Sequence, residues 1–239
     1  MSADIRIGTS GWDYAHWKEV FYPPGLPKAR WLEQYASCFD TVELNATFYR
    51  QPAGQTVAQW YERTPKGFFW AIKASRYITH IRRLRDATEP LTKFYGAIAD
   101  LREKLGPILL QLPPNLAFDE GIARDFLAGL DPGLRHVIEV RHPSWVCDQA
   151  FELFAAYNVA LCVSDTAGRF PSPEVVTADF MYVRMHGSRE LYASKYTEAE
   201  LKAWAAKIKR WHKDTYVYFD NDRAGYAVKN ALRLRQLLA

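Results

Sequence analysis

The stretch Phe180-Met181-Tyr182-Val183-Arg184-Met185-His186-Gly187 alternates two kinds of side chain. Val183 and Met185 are apolar. Tyr182, Arg184 and His186 occupy the positions around them and carry polar groups. Because successive residues of a strand face opposite sides of a sheet, this alternation predicts a strand with one apolar face and one polar face.

Seven other segments of the chain also have the composition of strands. With the first stretch they make eight: Ile5 to Gly11, Thr41 to Tyr49, Phe68 to Ser75, Pro107 to Pro113, His136 to His142, Val159 to Asp165, Phe180 to Gly187 and Thr215 to Asn221. Helical patterns separate most of them, and Thr197 with Glu200 forms a capping box before one of these helices. Strands that alternate with helices predict a parallel α/β sheet, and eight units predict closure into a (β/α)8, TIM-barrel-like fold. An open doubly wound sheet is the alternative.

The 239 residues fit one such barrel, so a single domain over residues 1–239 is expected. Two connections depart from the repeating pattern. Residues 12–28 form a long loop rich in aromatic residues and proline, which is typical of a functional loop or lid. Residues 166–179, between strands six and seven, contain Gly168, Pro171 and Pro173, and an irregular crossover without a full helix is expected there.

Composition excludes several classes of protein. The net charge of +4, from 31 basic and 27 acidic residues, is too small to indicate a dedicated nucleic-acid or membrane-surface binder. The three cysteines, Cys38, Cys147 and Cys162, lie far apart and favour neither a disulfide framework nor a zinc ribbon. Neither a signal peptide nor a membrane-spanning run is recognisable, so a cytoplasmic protein that does not associate with membranes is expected.

Strand parity sorts the polar residues. The positions expected to point into the barrel, most of them near the C-terminal ends of their strands, are Glu43, Asn45, Thr47, Lys73, Gln111, Glu139, Arg141, Tyr182, Arg184 and His186. The C-terminal end of the strands is the catalytic face of this fold. Buried charges must be paired, solvated or bound to a ligand. Three cations against two carboxylates favour a small anionic ligand, bearing phosphate or carboxylate, and a self-satisfied ion-pair network is the alternative.

The chain also resembles a known family. The motifs that carry the resemblance are Gly8-Thr9-Ser10-Gly11-Trp12, Val42-Glu43-Leu44-Asn45-Ala46-Thr47-Phe48-Tyr49, Lys104-Leu105-Gly106-Pro107 with Gln111-Leu112-Pro113, Glu139-Val140-Arg141-His142-Pro143-Ser144-Trp145, and Arg184-Met185-His186-Gly187. In this order they are similar to the YecE-like family, domain of unknown function 72. The resemblance covers essentially the whole chain. It implies a TIM-barrel-like fold of the kind grouped with sugar isomerases and apurinic endonucleases, and it implies no assigned reaction or cofactor.

These observations give each candidate residue a role. Arg141, Arg184 and Lys73 are expected to hold the anion, and Asn45 and Gln111 to orient it. The acid-base candidates are Glu43, Glu139 and His186. Lys73 is also a candidate nucleophile for a Schiff base, although pairing with Glu43 or Glu139 is the more common fate of such a lysine. Trp12, Tyr14 and Tyr49 are expected to form the walls of the pocket.

Two other kinds of site remain open. Glu43, Glu139, Asp165, His142 and His186 are metal-ligand types, but His142 has the wrong strand parity and the arginines compete for the carboxylates, so no metal ligand is predicted. Residues 76–85 carry four arginines and one histidine among apolar residues. These cations predict a protein that binds single-stranded nucleic acid or phosphodiesters, with bases stacked on Trp12, Tyr14, Trp17, Phe21 and Tyr22. A metal-dependent, endonuclease-like hydrolase belongs to the same alternative. Pairing of these arginines with Asp86 and Glu89 is the alternative.

Overall fold

The structure, a computed structural model, describes residues 3–239. Its strands are β1 (Ile5–Thr9), β2 (Thr41–Leu44), β3 (Phe69–Lys73), β4 (Leu105–Gln111), β5 (His136–Glu139), β6 (Ala160–Asp165), β7 (Phe180–Met185) and β8 (Asp214–Phe219). Its helices are α1 (Trp31–Cys38), α2 (Ala46–Tyr49), α3 (Gly54–Glu62), α4 (Thr88–Ile98), α5 (Glu120–Ala128), α6 (Asp148–Ala156), α7 (Glu198–Trp211) and α8 (Tyr226–Leu238). All eight predicted strands are present; most are shorter than predicted, whereas β4 and β8 begin one or two residues earlier and end two residues earlier.

The strands form one parallel sheet in the order β1-β8-β7-β6-β5-β4-β3-β2. The two ends of this sheet meet at a parallel bridge between Ser10 and Glu43, so the barrel is nearly closed. Beside this bridge the hydroxyl of Tyr35 accepts from the amide of Thr9 and donates to the carbonyl of Thr41, at 3.0 Å in both cases. Gly8 is required at this junction, since a Cβ there would lie 2.3 Å from the Thr41 oxygen.

Strand parity divides the apolar residues into two cores, as the alternation predicts. The larger core lies between the strands and the helices and includes Val42, Trp70, Ile72, Val183 and Met185. The smaller core fills the barrel interior with Ala71, Leu109, Val137, Ala160, Cys162, Ala178, Phe180, Tyr182, Tyr216 and Tyr218. The polar residues therefore occupy the same interior face as this smaller core, nearer the C-terminal strand ends.

The second predicted strand is too long. It ends at Leu44, and the next residue, Asn45, has helical backbone angles and leads directly into α2. Thr47 therefore does not continue the strand alternation that begins at Glu43. Its hydroxyl donates to the carbonyl oxygen of Lys73 at 2.7 Å. Contact with the neighbouring strand stabilises the helical turn, and this contact is not visible in the local sequence.

The two irregular connections differ in how well the sequence predicts them. Residues 166–179 contain no helix, as expected, and the capping box of Thr197 and Glu200 is present at the start of α7. In residues 12–28 the structure has one short 3-10 turn, Ala15–Trp17. Trp17 and Tyr22 are buried in the outer core, so they are not available to stack on bases or to cover a ligand. No helix within residues 3–239 has both the length and the apolar character that crossing a membrane requires.

Candidate functional site

Arg184, near the end of β7, is the centre of a buried ion-pair network. Its Nε and Nη2 atoms donate to both carboxylate oxygens of Glu43, at 2.9 and 2.7 Å, and its Nη1 donates to Glu139 at 2.7 Å. Its side chain is 1% exposed. Glu43 also accepts from Ser10, Asn45 and Tyr182. The guanidinium of Arg184 is thus occupied by protein carboxylates in this structure, and direct binding of the ligand by Arg184 stays a prediction.

Glu139 joins Arg184 to a second arginine. Its Oε1 accepts from Nε and Nη2 of Arg141, at 3.1 and 2.9 Å. Burial alone raises the pKa of Glu139, but the charges of Arg184 and Arg141 outweigh this effect and hold the pKa well below its usual range. Glu139 is thus a permanent carboxylate near neutral pH, which makes it unsuited to act as a general acid.

Arg141 reaches further toward the mouth of the barrel than Arg184. Its side chain is 11% exposed, and its Nη1 makes no hydrogen bond within residues 3–239. The ring of Phe170 lies 4.6 Å from its guanidinium carbon, and Arg169 lies 5.6 Å from the same ring. The irregular connection between β6 and β7 therefore brings an aromatic ring and another cation to the rim beside Arg141.

His186 and Asp220 form a second part of the network. The Nδ1 atom of His186 lies 3.0 Å from Asp220, and its Nε2 lies 3.3 Å from Nη1 of Arg184. Burial and Arg184 lower the pKa of His186, whereas hydrogen bonds to Asp220 and Glu139 raise it, and the result is a raised pKa. His186 is fully buried, but the side chain of Asp220 is 22% exposed. Asp220 is therefore the carboxylate of this network that reaches solvent.

Lys73, at the end of β3, has a different environment. Its Nζ donates to Oε1 of Gln111 at 2.7 Å and lies 4.4 Å from the ring centre of Phe48. It forms no ion pair with a carboxylate in the described part of the chain, so the expected pairing with Glu43 or Glu139 is wrong. Burial, together with the charge of Arg184, lowers the pKa of Lys73 to about 8.

The charge count predicted for the barrel interior, three cations against two carboxylates, needs one correction, because Asp220 adds a third carboxylate to the cluster. Arg184 can be assigned to Glu43, Arg141 to Glu139, and a protonated His186 to Asp220. Lys73 remains the cation without a carboxylate partner in residues 3–239. The net charge of this cluster is zero when His186 is neutral and +1 when His186 is protonated. The raised pKa of His186 favours the protonated form.

An open cavity of about 450 Å³ lies beside Asp220. Its lining consists of Tyr14, His16, Leu191, Tyr192, Ala193, Asp220, Asp222 and Arg223. Tyr14 thus lies at the mouth, where a wall residue was expected. The ring of Tyr192 stands edge-on to His186, with 5.4 Å between ring centres, and so separates this histidine from solvent.

The other predicted residues divide into two groups. Asn45 and Gln111 lie within the network, and Oδ1 of Asn45 is buried without a hydrogen-bond partner in the described residues. Trp12 packs against Trp70 in the outer core, with 5.2 Å between ring centres, so it does not line the interior. Tyr49 is 74% exposed at the end of α2 and contacts Phe48.

The histidine of the family motif after β5 lies outside the interior, as its strand parity predicts. Nδ1 of His142 accepts from the amide of Ser144 and caps a short 3-10 turn. Within residues 3–239, no group of three or more His, Cys, Asp or Glu side chains is arranged to hold a metal ion.

The arginine-rich segment after β3 is partly neutralised. Arg82 pairs with Asp86 at 2.6 Å, and Arg83 donates to Asn115. Arg76 and Arg85 are exposed and form no ion pair within the described residues. Glu89 pairs with none of these arginines, so the expected neutralisation by local acids is only half realised.

Sequence reasoning missed Asp220, Ser10 and Asp222. Asp220 follows Tyr216 and Tyr218 with the same parity and lies within the predicted strand Thr215 to Asn221, so applying the parity rule to that strand would have found it. Ser10 is the inward residue beyond β1 and donates to Glu43. Asp222 accepts from the indole of Trp17, a pairing between distant parts of the chain that leaves no local signal.

The eight-stranded parallel barrel with its polar cluster at the C-terminal strand ends defines a TIM-barrel-like protein. The chain matches the family described as "Protein of unknown function DUF72" over residues 6–239, and it belongs to that family. Among curated relatives, it is 26% identical to UPF0759 protein YecE of Escherichia coli (strain K12), over 90% of this chain and 84% of that protein.

A second curated relative is UPF0759 protein YunF of Bacillus subtilis (strain 168), which is 26% identical over 98% of this chain and 94% of that protein. Among solved structures, a DUF72 family protein from Thermotoga maritima superposes with a TM-score of 0.87 at 30% identity, over 98% of this chain and 99% of that chain. These likenesses establish the fold and the family.

Proposed function

We propose that the C-terminal mouth of the barrel binds a small anionic ligand, bearing a phosphate or a carboxylate, through Lys73 and Arg141. The observation that carries this proposal is the isolation of Lys73. It is a largely enclosed cation whose one hydrogen bond within residues 3–239 is to a neutral amide oxygen, 2.7 Å away. Removing a charge from water costs several kcal/mol unless a partner offsets the cost. An anion at the mouth would be that partner.

Arg141 supports the same position for the anion. Two of its nitrogens are bonded to Glu139, and Nη1 is left to donate to a ligand. The charge of Arg141 also lowers the pKa of Lys73, so an anion bound between them would offset the repulsion between the two cations. With a pKa of about 8, Lys73 is still mostly protonated at pH 7 and attracts an anion.

Within this proposal, Asp220 is the acid-base group that touches the ligand, and His186 positions it. Burial raises the pKa of Asp220, but the hydrogen bond and charge of His186 outweigh this effect and lower it, so Asp220 is a carboxylate at neutral pH. It faces the 450 Å³ cavity and can accept a proton there. Glu43 and Glu139 then act as positioning residues, since both are held by Arg184.

The test is stabilisation by inorganic phosphate. A ligand that binds only the folded state raises the unfolding temperature by mass action. We expect phosphate to raise the Tm of the wild-type protein, and Lys73→Met and Arg141→Leu to abolish most of that increase. Lys66→Met and Arg124→Leu are matched controls, because both residues are exposed on the surface. An equal phosphate effect in Lys73→Met and Lys66→Met would contradict the proposal.

A second candidate function, binding of single-stranded nucleic acid, rests on the exposed part of the arginine-rich segment. Arg76 and Arg85 stand beside Tyr77 and Ile81, which are 47% and 58% exposed. A stacking side chain between free cations is the arrangement that single strands use. Binding of a labelled oligonucleotide that weakens steeply with salt and is lost in Arg76→Ala/Arg85→Ala supports this function, and no binding at low salt removes it.

A further inference from the structure

The chain contains two enclosed lysines whose ammonium groups are supported very differently. Nζ of Lys104 lies within hydrogen-bond distance of three oxygens, the carbonyls of Tyr61 and Thr64 and the hydroxyl of Thr64, near the end of α3. Nζ of Lys73 has one acceptor, Oε1 of Gln111. An ammonium has three N–H donors. Lys104 is therefore bonded as a structural cation, whereas the described part of the chain offers Lys73 one acceptor for its three donors.

The groups around Lys73 also disfavour its charge. Burial and the charge of Arg184, with a smaller effect of Arg141, oppose a further cation, and the cation-π contact with Phe48 at 4.4 Å compensates only in part. The charges of Glu139 and Glu43 offset part of this repulsion, but both carboxylates are bonded to the two arginines and neither pairs with Lys73 within residues 3–239. Lys73 is nevertheless partly accessible at the mouth of the barrel. A lysine that is desolvated beside other cations is the type that enzymes use as an amine nucleophile.

We propose that Lys73 forms an imine with the carbonyl carbon of a ligand that also bears an acid group, the class of 2-oxo acids and aldehyde acids. This inference rests on the proposed anion site, since Arg141 would hold the acid group while Lys73 meets the carbonyl. The reaction consumes no oxidant or reductant. The lone pair of the neutral Nζ forms the C–N bond, and an Nζ proton passes to the carbonyl oxygen to give a carbinolamine. Its hydroxyl then takes a proton from solvent and leaves as water, which gives the protonated imine.

Reductive trapping tests the proposal on the full chain. We would incubate the protein with glyoxylate and sodium cyanoborohydride, which reduces the imine to a stable secondary amine, and measure the label on each lysine by peptide mapping. We expect Lys73 to be labelled about tenfold faster at pH 7 than the exposed Lys66, because a lower pKa leaves more neutral amine. Its rate should reach half its maximum near pH 8. Lys104 should remain unlabelled.

Three results would overturn the imine: labelling of Lys66 ahead of Lys73, labelling of Lys73 only at the pH at which Lys66 reacts, or total incorporation that is unchanged in Lys73→Arg. The variant Lys73→Arg keeps the positive charge and cannot form an imine, so it separates the two proposals. If phosphate still stabilises Lys73→Arg while the wild-type Lys73 is not trapped, the imine fails and the anion site stands. If Lys73 is trapped equally fast by glyoxylate and by the uncharged acetaldehyde and phosphate has no effect, the anion site fails and the reactive lysine stands.

Discussion

Arg184 and Lys73 point into the same barrel interior from β7 and β3, and they show two ways of keeping a cation there. Arg184 is 1% exposed and donates to two carboxylates. Lys73 is enclosed beside it and donates to one neutral oxygen. The first cation is neutralised by the protein, and the second is not. The difference teaches that the sequence position of an inward charge does not tell whether the protein itself neutralises it, and the proposed anion site rests on the cation that it leaves unneutralised.

The largest expected effect is at Arg184. Arg184→Met leaves Glu43 and Glu139 buried with fewer cationic partners, so we expect a loss of about 3–5 kcal/mol of unfolding free energy, measured by urea denaturation. The surface control Arg124→Met should lose no more than about 1 kcal/mol. If Arg184→Met loses as little stability as the control, the ion-pair network contributes nothing to stability. The contrast between a neutralised Arg184 and an isolated Lys73 would then be wrong.

Lys73→Met should increase the free energy of unfolding, whereas Arg184→Met decreases it. The pKa of Lys73 is lowered from 10.5 to about 8 in the folded protein, so the charged form is disfavoured by folding. At pH 7 both states are protonated and the folded state bears the whole penalty, which gives Lys73→Met an advantage of about 1–3 kcal/mol.

Between pH 8 and 10.5 the folded wild-type protein releases this proton while the unfolded chain keeps it, so wild-type stability rises relative to the variant. The advantage of Lys73→Met should thus shrink toward zero near pH 10.5. Urea denaturation at pH 7 and at pH 10, with Lys66→Met as the control, measures the difference. A variant that is less stable than the wild type at pH 7 would show that Lys73 has a counterion after all.

Glu139→Gln tests at low pH whether the carboxylate that pairs with Arg184 and Arg141 stabilises the folded protein. The folded pKa of Glu139 is well below its usual 4.5, so its contribution is complete above pH 4.5 and is lost as the pH falls through the folded value. We expect Glu139→Gln to be less stable than the wild type by about 1–3 kcal/mol at pH 7, with a gap that narrows below pH 4.5. A gap that stays constant from pH 7 to pH 3 in denaturation experiments would argue against a stabilising ion pair.

The smallest expected effect is at Phe170, whose ring covers Arg141. Phe170→Leu removes a cation-π contact at 4.6 Å and keeps most of the apolar volume, so a loss of about 0.5–1 kcal/mol is expected. The phosphate effect on the Tm should persist, because Nη1 of Arg141 does not depend on the ring. Loss of phosphate stabilisation in Phe170→Leu would mean that the ring, rather than the guanidinium, shapes the anion site.

Much of the barrel could be predicted from the sequence because its signals are local. The alternation in residues 180–187 holds in the structure, with Val183 in the outer core and Tyr182 in the interior. The capping box at Thr197 is equally local. The position of Tyr49, an expected wall residue, was less predictable, because the chain turns into α2 at Asn45 and leaves this side chain 74% exposed. Trp17 and Tyr22 were expected near a ligand, but both are buried: Tyr22 stacks on Trp31 of α1, and the indole of Trp17 donates to Asp222.

The sequence by itself determined the eight strands, the faces of most of them and most of the charges that enter the barrel, because strand periodicity is a property of neighbouring residues. Only the tertiary structure decided the pairing of those charges. Glu43 and Arg184 are 141 residues apart, and Asp220 meets His186 from another strand. Which carboxylate meets which arginine depends on strand order and register around the closed barrel. For this reason the isolation of Lys73, which carries the functional proposals, is a property of the folded molecule and not of any sequence motif.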